Sequence, residues 1–243
     1  MAEKLHRKPA RSLSGNAIVS FTFDDFPRSA WTAGGKVLAE YGVRGTYYAS
    51  LGLMGQNTPV GEMFGPPEIE AVAEAGHELA CHTHDHALCS GLSTRDLLAN
   101  CEKNQLRISQ ILGGYRFRNF SFPEGVVTPS AKVLLASVYD SCRTIEPGLN
   151  LDPVDLGFLH ANRVYSTSPL GKLQQLIRDN QRRRGWLILY THDIGGRPSP
   201  WGCTPDEFRT VVGWVVDSGA EILPITDATK RFAYGLATSE SIH

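Results

Sequence analysis

Short runs of β-branched and aromatic residues alternate along this chain with segments whose apolar positions recur every three or four residues. The first run, I-V-S-F-T-F from Ile18 to Phe23, reads as a buried strand. Ser29 to Tyr41 then sets Ala30, Trp31, Val37, Leu38 and Tyr41 at helical spacing. Gly42 follows as the residue after the last turn, and Gly34 and Gly35 weaken the middle. Arg44 to Ala49 predicts a second strand. Ser50 to Gly65, rich in glycine and carrying Pro59, predicts a long loop of the kind compact domains keep for function. Pro66 and Pro67 open a short helix that Gly76 ends, and His77 to Cys81 is the next strand.

Ser93 is the N-cap of a long amphipathic helix with the stripe Leu97, Cys101, Asn104, Ile108 and Ile111, stopped by Gly113 and Gly114. Arg118 to Phe122 predicts a strand that runs into Pro123, Glu124 and Gly125. Thr128-Pro129, Ser168-Pro169 and Thr204-Pro205 each pair an N-cap with a first-turn proline, and Glu207 completes a capping box in the third. Arg182, Arg183 and Arg184 follow the Leu170, Leu173, Ile177 helix and complement its negative end. Trp186 to Tyr190 is a continuous apolar strand, and Glu221 to Ile225 is the last. Ile145 to Ser166 predicts a loop and then an irregular strand over Phe158 to Tyr165. Continuous apolar strands between helices require a sheet covered on both faces. The expected class is therefore α/β, a single distorted (β/α) barrel of about seven parallel strands. Residues 1–16 read as a basic arm, 17–232 as the barrel and 233–243 as a tail.

A length of 243 residues suits one barrel. A net charge of −1, from 24 basic and 25 acidic residues, argues against nucleic acid or an anionic membrane as the main partner. No stretch approaches the roughly 18 to 20 consecutive apolar residues of a membrane span. The basic N-terminus lacks the apolar core of a secretory signal, so a cytoplasmic location is expected. Five cysteines without C-x-x-C spacing fit reduced thiols. Cys81 and Cys89 flank a histidine cluster and could ligate zinc, but Cys81, closing a strand, reads as a small buried hydrophobe.

The Ile18–Phe23 run ends on two adjacent carboxylates, Asp24 and Asp25, which repel unless a cation, a proton or strong donors meet them. Taken alone, the pair would equally begin an Asx turn. Other polar clusters sit in equivalent places: His82 to His86, Pro123 with Glu124, and His192 each lie just past a predicted strand. In parallel α/β folds that edge is where chemistry is done. A carboxylate plus two imidazoles is a ligand set for zinc or a similar divalent ion. His82 and His86, four residues apart, point the same way if a helical turn follows the strand, and His84 then faces elsewhere.

The order T-F-D-D, G-H-E-L-A-C-H-T-H-D-H, F-S-F-P-E-G and L-I-L-Y-T-H-D resembles the polysaccharide deacetylase family, also called the NodB-homology domain or carbohydrate esterase family 4. The resemblance runs from about Ile18 to Ala228. It implies a distorted (β/α) barrel and a carbohydrate substrate. One divalent ion, zinc or alternatively cobalt, manganese or nickel, would be held by Asp25, His82 and His86. It also implies Asp24 as general base, His192 as general acid, and a backbone N–H at Glu124, after Pro123, for the oxyanion.

Three departures from the family pattern stand out. The arginine of its Arg-x-Pro-Tyr stretch, which orients the base, is missing before Pro123, leaving Arg116, Arg118 or Arg163 as substitutes. Tyr190 replaces the leucine of the acetyl pocket. D-P-V-D-L, from Asp152 to Leu156, lacks the tryptophan that walls the glycan groove, so Asp152 and Asp155 read as loop residues. The leading expectation is a metal-dependent hydrolase removing N-acetyl, less readily O-acetyl, groups from an amino sugar, oligosaccharide or polysaccharide precursor. One alternative is a cyclic amide hydrolase resembling allantoinase. Another, of a different class, is a glycan-binding module without turnover, although a binder needs neither Asp24 nor His192.

Overall fold

Alternation with a period of two sorts the strand residues of this protein into a set facing helices and a set facing a barrel interior. The computed structural model describes residues 2–234. Gly235 to His243, most of the expected tail, lie outside the described residues. In chain order the strands are β1 Pro9–Ser12, β2 Ile18–Phe23, β3 Thr46–Ala49, the hairpin β4 Asn57–Thr58 and β5 Gly61–Glu62, β6 Glu78–Cys81, β7 Asn119–Ser121, β8 Ser141–Arg143, β9 Val154–Asp155, β10 Asn162–Arg163, β11 Trp186–Thr191, β12 Glu221–Ile222 and β13 Phe232–Tyr234. The α-helices are α1 Lys36–Glu40, α2 Pro66–Glu74, α3 Thr94–Ile111, α4 Pro129–Val138, α5 Leu170–Arg183, α6 Pro205–Asp217 and α7 Ile225–Thr229.

Strands β10, β11, β2, β3, β6, β7 and β8 follow one another as parallel neighbours, and β12 also pairs with β2. Arg143 at the end of β8 bridges in parallel to Leu159, and β10 begins shortly after it. The segment from Leu159 to Arg163 therefore spans the opening between the edge strands and completes the distorted (β/α) barrel. On β2, Val19, Phe21 and Phe23 join the larger apolar cluster, in which residues of α3, α5 and α6 also pack. Ile18, Ser20 and Thr22 have the opposite phase, and Ile18 belongs with Tyr48, Ala80, Trp186, Ile188 and Tyr190 in the second cluster. The barrel interior is thus partly aromatic and partly polar.

Ser93, Thr128 and Thr204 each cap a helix by accepting from a backbone N–H, and Glu207 closes the expected box. Ser168 does not. Helix α5 starts at Leu170, and the Ser168 hydroxyl instead accepts from the Tyr165 N–H and donates to the Arg163 carbonyl. The first half of the expected Ser29–Tyr41 helix is a wide π-turn, Ala30–Gly35. A Cβ on Gly34 would stand 2.8 Å from Ile194 Cδ1 and 2.9 Å from Phe23 Cε1, so glycine there lets helix and sheet approach.

The stretch expected as an arm contributes β1, which pairs antiparallel with β9 and β13. Asp152 and Asp155 are more than loop residues. Asp152 Oδ1 accepts from the Ser12 N–H at 2.8 Å, and Asp155 accepts from the Lys8 N–H and from the fully buried Lys132 Nζ, both at 2.8 Å. Among the described residues no helix is long and apolar enough to cross a membrane.

Candidate active site

Strand β2 delivers Asp24 in the same phase as Ile18, Ser20 and Thr22, so its carboxylate points into the barrel, where it is 3% exposed. Its N–H donates to the Thr191 carbonyl of β11 at 2.9 Å. The chain then turns through two left-handed residues, Asp25 with φ 61 and Phe26 with φ 62. Such conformations cost a non-glycine residue about 1–3 kcal/mol each, and tertiary contacts must hold them. Here Phe26 stacks on Phe64 at 4.6 Å and its carbonyl accepts from the Phe64 N–H.

Strand β6 ends at Cys81, a buried free thiol whose sulfur accepts from Asn104. His82 continues the interior phase. The path from His82 to His86 is not the expected helical turn but a loop with left-handed residues at Thr83, φ 61, and His86, φ 51. The Thr83 hydroxyl accepts from the Ala87 N–H, and Asn100 Oδ1 accepts from the His84 N–H, which folds the loop back over β6. His84 faces away and hydrogen-bonds Asp85. His82 Nε2 and His86 Nε2 lie 3.3 and 3.1 Å from Asp25 Oδ1, and the three ligand atoms fall within 4.8 Å of one another.

These residues fit a divalent ion. His82 Nδ1 donates to the Ser121 carbonyl at 2.8 Å, which leaves Nε2 with its lone pair towards the centre. Asp25 Oδ1 is buried and, despite its two close nitrogens, has no donor in hydrogen-bond geometry. Acceptor atoms converging on a common point are what a cation requires and a hydrogen-bonded cluster avoids. With protons on the imidazoles in place of an ion, burial opposes ionisation of Asp25, but the two rings outweigh it and hold the carboxyl well below the usual carboxylate range. Burial likewise opposes charge on His86, yet Asp25 draws it above its ordinary value.

The arginine missing before Pro123 is supplied by Arg143, the last residue of β8. Its guanidinium is fully buried, pairs with Asp24 Oδ1, and donates to the Ser121 hydroxyl at 2.6 Å and the Thr144 carbonyl at 3.0 Å. The rings of Tyr48 and Tyr190 lie 4.8 and 5.2 Å from its central carbon. Burial works against this cation, and the Asp24 charge keeps it protonated. Of the expected substitutes, Arg118 pairs with Asp140 at the surface and Arg163 lies 5.9 Å from the Tyr165 ring.

A cavity of about 650 Å³ opens over this floor, lined by Asp24, Asp25, His82, His86, Glu124, Tyr190 and His192 together with Leu53, Thr58, Pro59, Val60, Ile145, Tyr165 and Trp201. Tyr190 is 5% exposed, sits edge-on to Tyr165 at 5.7 Å, and burial pushes its hydroxyl pKa up. His192 Nδ1 lies 3.2 Å from the Trp201 carbonyl. Glu124 takes a left-handed conformation, φ 53, in a single 3-10 turn, while Pro123 is buried and, among the described residues, is not part of the lining.

Every expected site residue except Pro123 thus meets one cavity. Missed from the sequence were Arg143, Ser121, Tyr165, Trp201 and Ile145, whereas the 53–60 lining falls inside the long Ser50–Gly65 loop expected to serve function. For Arg143 a signal existed: in S-C-R the apolar Cys142 faces the helices, so its neighbour faces inward, and a buried guanidinium requires a carboxylate.

No curated protein sequence matches the chain. Solved structures that share its fold include an esterase, a deacetylase and a CE4 domain. A family 4 acetyl xylan esterase from Clostridium thermocellum, in complex with a cobalt ion, is 19% identical with a TM-score of 0.60, over 88% of this chain and 90% of that one. The T48 deacetylase with substrate is 14% identical with a TM-score of 0.60, over 92% and 96%. The Xyl-CE4 domain of a multidomain xylanase from the hindgut metagenome of Trinervitermes trinervoides is 17% identical with a TM-score of 0.57, over 89% and 91%. The sequence pattern of the polysaccharide deacetylase family matches residues 14–138, just over half of the 243, and the chain belongs to that family.

Proposed function

We propose that the protein is a metal-dependent hydrolase that removes N-acetyl, less readily O-acetyl, groups from an amino sugar or short glycan. The observation that carries this is the meeting of Asp25, His82 and His86 at one point of a cavity that Asp24 and His192 also line. A divalent ion held by those three residues supplies Lewis acidity to the acetamide carbonyl and to the attacking water. The chain's own groups do the rest. Arg143 occupies Oδ1 of Asp24, so Oδ2 is the oxygen that takes the proton of the water as it attacks. His192, fixed through Nδ1, presents Nε2 to the departing nitrogen and protonates it. The N–H of Glu124 faces the developing oxyanion, and Tyr190 with Tyr165 encloses the acetyl methyl.

The apolar lining of Leu53, Pro59, Val60 and Ile145 supports a second reading, ring opening of a cyclic amide at the same centre. One experiment separates the two. Metal content is measured first, then acetate release from N-acetylglucosamine oligomers beside ring opening of cyclic imides, for wild type and Asp24→Asn. Acetate release that is lost in the variant supports deacetylation, and ring opening alone supports the second reading. A metal-loaded protein that turns over neither refutes both and leaves a binding module.

A further inference from the structure

At the mouth of the cavity stands Trp201, a large apolar side chain left 44% exposed. An indole in water is costly unless something covers it. The loop that carries it is rigid. The Trp201 carbonyl accepts from both the backbone N–H and Nδ1 of His192, each at 3.2 Å, and the Trp201 N–H donates to the Ser199 hydroxyl. Asp193 in turn accepts from the Ser199 hydroxyl at 2.5 Å and its N–H at 2.8 Å. The backbone of Trp201 is therefore tied to His192, and the indole projects from that anchored point at the cavity mouth.

The 53–60 stretch of the lining is also tied down. The Gly55 N–H donates to the Phe64 carbonyl at 3.0 Å, the Gln56 N–H to the Leu53 carbonyl at 3.0 Å, and the Met63 N–H to the Gln56 carbonyl at 2.9 Å. Fixed walls around about 650 Å³ make a small-molecule site, in the range of roughly 300–1,000 Å³.

We propose that the substrate is a saccharide of one or two pyranose units, with the ring that bears the acetamido group lying on the Trp201 indole. This rests on the deacetylase reading and names its substrate class. A pyranose offers one face of C–H groups to the indole while its hydroxyls stay at the edges, where water, Thr58 and Glu124 meet them. Because the Trp201 backbone is tied to His192, a ring stacked on the indole brings its amide nitrogen beside the acid. Trp201 is then a specificity-determining residue, and its indole makes no direct contribution to bond breaking.

The test measures acetate release by wild type, Trp201→Ala and Trp201→Phe on N-acetylglucosamine and its β-1,4 dimer and pentamer. Tryptophan fluorescence is titrated with the same sugars, using Trp214→Phe as the control. Expected are a kcat/KM that does not rise beyond the dimer, and for Trp201→Ala a KM raised roughly tenfold with kcat within about threefold. Trp201→Phe recovers part of the KM. Sugar changes the emission of wild type and Trp214→Phe but not of Trp201→Phe. A kcat/KM that climbs towards the pentamer, an unchanged KM in Trp201→Ala, or an unaltered response in Trp201→Phe overturns the proposal. Absence of acetate from every sugar sinks the deacetylase reading instead, and the fluorescence titration alone then decides whether Trp201 carries a sugar.

Discussion

Replacing Arg143 with methionine leaves Asp24 as an unpaired carboxylate inside the barrel. The two side chains are 0% and 4% exposed, so the discount that reduces surface ion pairs to under about 1 kcal/mol does not apply. Breaking a buried pair from one side costs about 3–5 kcal/mol, which here includes the donors withdrawn from Ser121 and Thr144. Against a total stability of roughly 5–15 kcal/mol this is a large fraction. Asp24→Asn should also destabilise, because it strands the guanidinium. The double variant, with both charges gone, should cost far less than the sum. Urea unfolding of all four proteins yields the coupling, expected at about 2–3 kcal/mol. Arg143→Lys, which keeps the charge without the planar fork, should fall between wild type and methionine. Turnover by Arg143→Met should drop about a hundredfold as the base loses its orientation. Additive losses, with coupling below about 0.5 kcal/mol, would show that Arg143 does not hold Asp24.

Stripping the divalent ion with a chelator should abolish turnover and lower the melting temperature, and Asp25→Ala should lose the ion as purified. Elemental analysis showing the variant still loaded would exclude Asp25 as a ligand. His77 accepts from the Gly45 N–H inside the core, and burial together with the Arg44 charge holds its pKa down at about 4, against about 6.5 when unfolded. The unfolded chain then binds the proton first, so stability present above pH 6.5 should fall as the pH drops to 4, by roughly 3 kcal/mol. His77→Gln should flatten that slope in urea midpoints taken across the window, and an unchanged slope would reject the assignment. Gly202→Ala places a Cβ 2.4 Å from the Asp193 carbonyl oxygen, which must open the loop that fixes His192. A loss of about 1–3 kcal/mol with a fall in kcat is expected, and a variant melting and turning over like wild type would show that the loop is compliant.

Much of this was legible in the sequence because β2, β6 and β11 are apolar runs that stop at charged residues, and a run of that kind marks a strand entering a rim. The residues alone pointed to a carboxylate with two imidazoles, and the family resemblance singled out Asp25, His82 and His86, the three that meet. What brings the histidines together was not legible. His82 and His86 converge because Thr83 and His86 accept left-handed conformations, which depend on the Asn100 and Thr83 side-chain contacts rather than on spacing. Arg143 was missed because β8 is only three residues long, so its S-C-R alternation is weak until the need of a buried guanidinium for a carboxylate is added to it. Trp201 and the 53–60 loop belong to segments without a period, where placement comes from hydrogen bonds such as those of Asp193 to Ser199 and of the Met63 N–H to the Gln56 carbonyl.

The displaced arginine shows what the barrel demands and what it leaves free. Parallel register places Ser121 of β7 opposite Arg143 of β8, and both face inward. A guanidinium at the end of β8 therefore enters the same layer of the interior as one placed just past β7 would. From there it reaches Asp24 across the barrel rather than along the chain. Ser121 makes the exchange workable: its carbonyl accepts from His82 while its hydroxyl accepts from Arg143, so one residue ties a member of the Asp25–His82–His86 cluster to the partner of Asp24. What the pairing requires here is a position in the rim layer, which a neighbouring strand of the right phase can fill. A search for the arginine along the Phe122–Pro123 stretch fails for that reason, whereas asking which inward-facing cation lies one strand over finds it. The same physics predicts that a second displaced arginine, built at Phe122, would not substitute: Phe122 follows Ser121 in the opposite phase and packs in the outer apolar cluster, where a guanidinium would meet no carboxylate.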